Sequence, residues 1–395
     1  MAQPVEWECL GNLLELSKVS IQLLPESEYD QITVRINHKG VVKRGSTLGV
    51  EILSKQHLAK SGQFIVSKID ARNGAMGLVP EFLDGAVVSN DFLLFNAVEE
   101  RLDLEYLNYI SQTPFFDHAC HKASEGSTNR RRLKLDRFFE IKIPLPKIDE
   151  QIRLRSKANS IFSNIKAIEV LRAGQIKELR NLAYSRFTEL IAGLLPFEMR
   201  KIAPLVRRPV AVDYSQEYPE LGRSFGKGAF HKPALLGIKV GSKKLYEIHE
   251  GDLLLSNVFA WEGAIAVAQK EDHGRVGSHR YITRKCDLNN VLPRFLCYYF
   301  LTPEGLEKIR LASPGGAGRN KTLGLKKLDK ILVPIPPIQL QKEFIEFLSQ
   351  IELSIDYFRN TGDDLDTLKK AVLDKAFKGE PLKTTLQGTL QSIPW

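Results

Sequence analysis

Residues 133–154 read LKLDRFFEIKIPLPKIDEQIRL, and residues 323–344 read LGLKKLDKILVPIPPIQLQKEF. Ile143-Pro144-Leu145-Pro146 and Val333-Pro334-Ile335-Pro336 fall at the same place in the two stretches. Alternate prolines exclude a helix there, because each disfavours helical geometry at the residue before it. In both copies a long charged-apolar run with helical spacing follows at once. The chain therefore repeats one unit: a globular piece, an extended proline exit and a long helix. Self-similarity of this length outranks any local reading.

Working outward, GQFIVSKIDARNGAMGLV (62–79) matches GDLLLSNVFAWEGAIAVA (251–268) without a gap. Gly62 pairs with Gly251, Ser67 with Ser256, Ala71 with Ala260, and Gly74-Ala75 with Gly263-Ala264. Further back, Arg35 and Lys39-Gly40 align with Arg223 and Lys227-Gly228, and Pro4-Val5-Glu6-Trp7 aligns with Pro196-Phe197-Glu198-Met199. The matches keep their order and spacing, which chance does not readily produce.

The chain has 395 residues, which fits two globular domains plus extra helix, and 43% hydrophobic residues suffice for real cores. Its apolar runs are too short to span a bilayer. The start, MAQPVEWECLGNLLEL, lacks the basic and apolar regions of a secretory signal. Cys9, Cys120, Cys286 and Cys297 are scattered without a C-x-x-C pair, so reduced thiols and a cytoplasmic location are expected. A net charge of +9 permits an anionic partner without specifying nucleic acid.

In order, the spacing predicts an α+β unit over 1–146, a long helix over 147–193, a second unit over 194–337, a second long helix over 338–380 and a tail over 381–395. Strand runs are expected at Ile32-Thr33-Val34, Gly62 to Ile69 and Val87 to Phe95, with Gly45, Gly62, Gly74, Gly77 and Gly85 as turns. Leu104 to Ile110 and Pro293 to Leu301 read as equivalent short helices. In the first long helix Asp149 is the expected N-cap, and Ala158, Ile161, Ile165, Ile168, Leu179 and Leu182 the apolar stripe. In the second, Phe344, Ile351, Phe358, Leu365 and Val372 recur every seven residues, across Gly362-Asp363-Asp364. A heptad seam needs a partner helix. The expected architecture is two repeated globular units separated by two long helices in an antiparallel coiled coil.

Catalytic signatures are missing. There is no G-x-x-x-x-G-K-[ST] phosphate loop, no N-P-P-[YF] motif, and no Ser/His/Asp arrangement that stands out. Phe225-Gly226-Lys227-Gly228 reads as a hairpin turn sooner than a cofactor turn. His118-Ala119-Cys120-His121 is too close-packed for zinc and has no second cluster. Binding chemistry remains. Ser127, Thr128, Asn129, Arg130, Arg131 and Arg132 offer hydroxyls, an amide and guanidinium forks suited to phosphate and base edges. At the equivalent place Arg319, Asn320 and Lys321 follow a glycine run that allows close backbone approach. A single basic loop is usually a solvated one; two at equivalent positions point to use. Lys68, Arg72 and Asn73, mirrored by Asn257 and Trp261, form a second candidate surface. Ser89-Asn90 and Ser278-His279-Arg280 form a third.

A globular unit ending in I-P-L-P or V-P-I-P, then a helix opening with a D-E-Q or L-Q-K turn, both occurring twice, resembles the specificity subunit of type I restriction-modification systems. The likeness covers about residues 4–380, including Trp7, Leu10-Gly11 and LDKAFKG at 373–379. Tyr184-Ser185-Arg186-Phe187 is a weaker form of that ending. The resemblance implies two target recognition domains, each reading half of a bipartite double-stranded DNA site. It implies spacer helices that recruit two methyltransferase subunits, which carry S-adenosylmethionine. Restriction subunits of such systems carry ATP- and Mg-dependent translocation and cleavage. The chain itself would bind no cofactor or metal and catalyse nothing. Two other classes stay open: the recognition arm of another DNA-modifying or phage-defence assembly, and a scaffold that touches no DNA.

Overall fold

The two proline exits are strands, each paired with the start of its own unit. Lys142–Leu145 runs antiparallel to Glu6–Cys9, and Leu332–Pro334 to Pro196–Glu198. The computed structural model describes residues 5–126, 131–224, 228–315 and 321–377. Contacts group these into two units. Unit 1 holds the described residues up to Leu171 and those from Asn360 on; unit 2 runs from Arg172 to Arg359.

Each unit is built on one four-stranded antiparallel sheet with the same strand order. In unit 1 the order is Leu14–Ser17, Phe92–Ala97, Phe64–Ser67, Met76–Leu78; in unit 2 it is Leu205–Val206, Tyr281–Arg284, Leu253–Ser256, Ile265–Val267. Phe64–Ser67 and Leu253–Leu255 are buried on both faces, which is why FIVS and LLLS read as continuous apolar runs and not as alternation. Gly62 and Gly251 both have φ of +80°, and Gly85 and Gly274 have +79° and +78°. These left-handed turns lie 189 residues apart in each case, and they fix the frame of the repeat.

That spacing corrects two sequence alignments. Leu10 donates its backbone N–H to Ile141, as Met199 does to Ile331, so Leu10 and not Trp7 is the counterpart of Met199. Gln31 pairs in parallel with Val87 and Glu220 with Val276, so Val34 and not Arg35 is the counterpart of Arg223. The Pro-x-Glu and Arg-Lys-Gly matches were local coincidences a few residues out of register. Gly45 and Gly77 lie inside strands, Gly45 opposite Gln31 at a register shift, and are not turns. The run from Val87 is two strands, Val87–Ser89 and Phe92–Ala97, broken at Asn90-Asp91.

The short helices Leu104–Ile110 and Pro293–Leu301 are each followed by a second one that the sequence reading missed, Pro114–Lys122 and Pro303–Leu311. Both missed helices start with Thr-Pro. The Thr113 and Thr302 hydroxyls accept backbone N–H groups at the first turn, and the proline takes the position where no N–H is needed. The Leu104–Ile110 and Pro114–Lys122 helices bury Tyr106 and Phe116 beside Phe64, Phe95 and Phe138 in unit 1. In unit 2, Phe295, Tyr299 and Phe300 play that part beside Leu253 and Leu255.

The long helices run from Ile148 to Ile191 and from Ile338 to Phe377. Asp149 lies in the first turn, not at the cap, because the helix already begins at Ile148. A buried glutamine fixes each helix to its unit instead. Gln151 Nε2 donates to the carbonyls of Arg101 and Pro146, and its Oε1 accepts the Asp103 N–H at 2.9 Å. Gln341 repeats all three bonds with Asn290, Pro336 and Leu292. Both side chains are fully buried.

Within each unit the two helix segments lie antiparallel. In unit 1, Tyr109 stacks between Phe162 and Phe377 at 5.5 and 5.3 Å, and Lys369 donates to Glu169 at 2.6 Å. In unit 2, Phe187 packs on Phe344 at 5.2 Å, with Ala183 and Ile191 against Leu348, Ile351 and Ile355 in the same core. The heptad seam of the second helix is buried at Phe344, Ile351, Leu365 and Val372 and half-buried at Phe358. On the first helix Ile168 and Leu182 are exposed. Small Ala183 takes the inward position beside Leu182, a choice that hydrophobicity alone does not expose.

Candidate nucleic-acid interface

In both units the end of one central strand meets the break before the next, and the stem of the basic loop closes over them. In unit 1 the Lys68 N–H donates to the Asp91 carbonyl at 2.8 Å, and the Leu133 N–H to the Lys68 carbonyl at 2.8 Å. In unit 2 the Asn257 N–H donates to the Arg280 carbonyl at 2.9 Å, and the Leu323 N–H to the Asn257 carbonyl at 2.8 Å. Two serines turn the chain on each side of this frame. Ser67 and Ser89 accept from Asp70 and Asp91 as Ser256 and Ser278 do from Phe259 and Arg280. The described parts of three candidate surfaces that the sequence kept separate thus adjoin one another in each unit.

The side chains on the two frames differ. In unit 1, Lys68 Nζ donates to the Asn90 carbonyl, and Arg132 Nη1 bonds Asp91 Oδ1 at 2.7 Å. Burial pulls the Lys68 ammonium below its usual range; Asp91 opposes this, and Lys18 and Arg132 add to it. Arg131 lies 3.5 Å from His121 Nε2. Lys18 and Asp91 belong to this group and carried no sequence signal beyond their charge. Arg72 and Asn73 sit on the turn Ala71–Asn73 beneath the tip of the neighbouring hairpin. The Asn73 carbonyl accepts the Asn37 N–H at 2.7 Å, and its side chain is held by Asp70. Asn37 and His38 adopt φ of +58° and +54°, and an added Cβ on Gly74 would strike the His38 ring at 2.5 Å, so only glycine fits under this tip.

In unit 2, Lys321 Nζ sits over the Trp261 ring at 5.0 Å, and the Trp261 indole donates to the Val258 carbonyl, so Trp261 braces the loop stem from a half-buried position. His279 and Arg280 are exposed. They line a cleft of about 540 Å³ with Arg223, Lys232, Lys243, Phe259 and Tyr281, residues the sequence reading did not select. Ser127, Thr128, Asn129, Arg130, Arg319 and Asn320 lie outside the described residues.

Two other clusters do not join this site. Cys120 is buried in the core while His118 and His121 are exposed, so the three do not converge. Among the described residues Glu247, His249 and His273 hold ligand atoms within 4.8 Å of one another. One ring nitrogen of each histidine is already engaged: His249 Nε2 with Glu247 at 3.1 Å, and His273 Nδ1 with the Glu250 N–H. The cluster flanks the Gly251 turn, at the end of Leu253–Ser256 away from Asn257.

Residues 217–361 match the family model described as the type I restriction modification DNA specificity domain. A putative type I restriction enzyme specificity subunit from Methanocaldococcus jannaschii is 25% identical over 327 residues, covering 76% of this chain and 73% of its own length. The crystal structure of the HsdS subunit from Thermoanaerobacter tengcongensis superposes with a TM-score of 0.58 at 19% identity, covering 96% of this chain and 98% of that one. A structure from work on complex assembly and conformational transition of the type I R-M system gives 0.69 at 18% identity, covering 96% and 99%.

Proposed function

We infer that this chain, which belongs to the specificity subunits of type I restriction-modification systems, reads one half of a bipartite duplex DNA site with each unit. One observation carries the reading. The same backbone frame is built twice, 189 residues apart, and different side chains stand on it: Lys68 and Asp91 in unit 1, Asn257 and Arg280 in unit 2. A common frame supplies common positioning on the duplex, and different side chains supply two different half-sites.

The chain's own part is recognition and not chemistry. Its sequence lacks the phosphate-loop and amino-methyltransferase motifs that a catalytic subunit needs. Methyltransferase subunits bearing S-adenosylmethionine are the partners this reading requires, and restriction subunits using ATP and Mg complete such a system. No helix among the described residues is long and apolar enough to cross a membrane, in keeping with a DNA-bound assembly in the cytoplasm.

Methylation-sensitive sequencing of DNA from cells carrying the chain with its methyltransferase partner tests this directly. The expected result is one bipartite motif with two unlike halves. Absence of any modified motif, with no salt-dependent binding to duplex DNA, would favour a scaffold. Methyl transfer by the purified chain alone from labelled S-adenosylmethionine would overturn the non-catalytic role.

A further inference from the structure

Arg223 is the least conventional charged group in unit 2. Its guanidinium carbon sits over the Tyr281 ring, 3.6 Å from the centroid. Its Nε and Nη1 atoms are closed off from solvent, and no acceptor meets them. Burial draws its pKa down to about 10, with Tyr281 opposing. Glu220, which lines the same cleft, is engaged by Lys232 at 3.0 Å. A largely desolvated guanidinium without a carboxylate is costly in the free protein, and with Nε and Nη1 closed off it is Nη2 that is left to meet an acceptor arriving with a ligand.

Position argues for which acceptor. Arg223 forms a wall of the 540 Å³ cleft that also holds Ser278, His279 and Arg280, next to the loop stem at Asn257. Exposed cations there, Arg280 among them, already suit phosphates. Arg223 differs from them: it is held over the Tyr281 ring with Nε and Nη1 closed off, which leaves Nη2 as the nitrogen available to a ligand. A planar donor locked in place is what base-edge reading requires, and a phosphate does not require it. The repeat supplies the control. The unit 1 counterparts, by the 189-residue spacing and the strand register, are Val34 and Phe92. Both pack in one apolar cluster. The frame is shared, and this charge is present in one unit alone.

We propose that Arg223, held on Tyr281, is a specificity-determining residue of unit 2 that reads the acceptor edge of a guanine in the second half-site. The inference rests on the reading of unit 2 as a DNA-binding unit. Guanine fits best because its major-groove edge presents acceptors at both O6 and N7 and no donor that would oppose the Nη2 amino group.

The test is motif mapping with the assembled methyltransferase complex carrying Arg223→Val, the residue found in unit 1, and Arg223→Lys, which keeps the charge without the planar guanidinium. Expected is a loss of about tenfold or more in discrimination at one G·C position of the half-site read by unit 2, with the other half-site unchanged. An unaltered motif in both variants overturns the proposal. So does an even loss of affinity on all sequences in Arg223→Val that Arg223→Lys restores, which marks a phosphate contact. Thermal unfolding and assembly are measured on both; if the valine variant does not assemble, the lysine variant decides by the same one-position criterion. A wild-type complex that modifies no bipartite site would instead sink the underlying DNA-reading assignment.

Discussion

Arg132 and Asp91 form an exposed ion pair whose expected contribution is to binding and not to stability. The side chains are 58% and 38% exposed, so their 2.7 Å contact contributes at most about 1 kcal/mol to folding. Arg132→Ala is expected to leave the melting curve nearly unchanged. In the assembled complex it should weaken duplex binding and lower the salt slope by about one unit. Asp91→Ala removes a carboxylate beside Arg132 and Lys68 and should strengthen non-specific binding. Anisotropy titrations across a salt series check both signs. A second residue pair speaks to stability. Phe95 packs on Phe139 in unit 1 at 5.9 Å; in unit 2 the counterparts are Arg284 and Asp329, bonded at 2.6 Å. Arg284 is 1% exposed and the Asp329 side chain 35%. Burial pulls the Arg284 pKa down and Asp329 draws it back up. Asp329→Ala leaves the buried charge alone and should cost about 3 kcal/mol in denaturant unfolding. Arg284→Phe leaves only a carboxylate that water can reach and should cost far less. Equal losses in the two variants would contradict this account. At this scale the sequence exposed Lys68, Arg132 and Arg280 through their charge. It hid Asp91, Arg223 and Tyr281, whose roles depend on neighbours tens of residues away.

The elements were more legible than the residues that fasten them. Proline alternation and helical spacing located both exits and both long helices to within a few residues. Thr-Pro starts announced two further helices and were overlooked because their apolar stripes are short. Gln151 and Gln341 stand at the same place in both copies, a visible identity whose meaning appears only once the helices are docked. Each glutamine pairs one N–H and two carbonyls that would otherwise be buried unsatisfied. Gln151→Ala strips these partners from unit 1 and should destabilise it by roughly 2–3 kcal/mol, and Gln341→Ala should do the same in unit 2. Hydrogen exchange separates the two: Asp103 loses protection in the first variant and Leu292 in the second. Loss at both sites in either variant would show that the two clamps do not act independently.

At the scale of the whole molecule, the repeat decided the fold class before any strand was placed, and what it left open is how far apart the half-sites lie. If the long helices set that distance, lengthening both should lengthen the gap in the motif. Gly174 and Gly362 are suited to insertion, because each lies within a long helix with nothing within 4 Å of an added Cβ. Inserting after Arg155 is worse, since Asn159 and Phe162 just beyond it both meet Tyr109 and an insertion there would displace them from that contact within unit 1. Four added residues extend a helix by about 6 Å and rotate its far end by about 40° in the right-handed sense. Two base pairs advance a duplex by roughly 7 Å and turn it by about 70° in the same sense. The mismatch of some 30° is small enough for a local unwinding of the seam to absorb. Four residues inserted in both helices are therefore expected to widen the non-specific spacer by two base pairs and to keep both half-sites. Genome-wide mapping of the modified motif before and after insertion reads this out. An active complex with an unchanged spacer would show that some other element fixes the separation. A complex with the wider spacer and one altered half-site would show that the insertion had disturbed a recognition frame as well as the ruler.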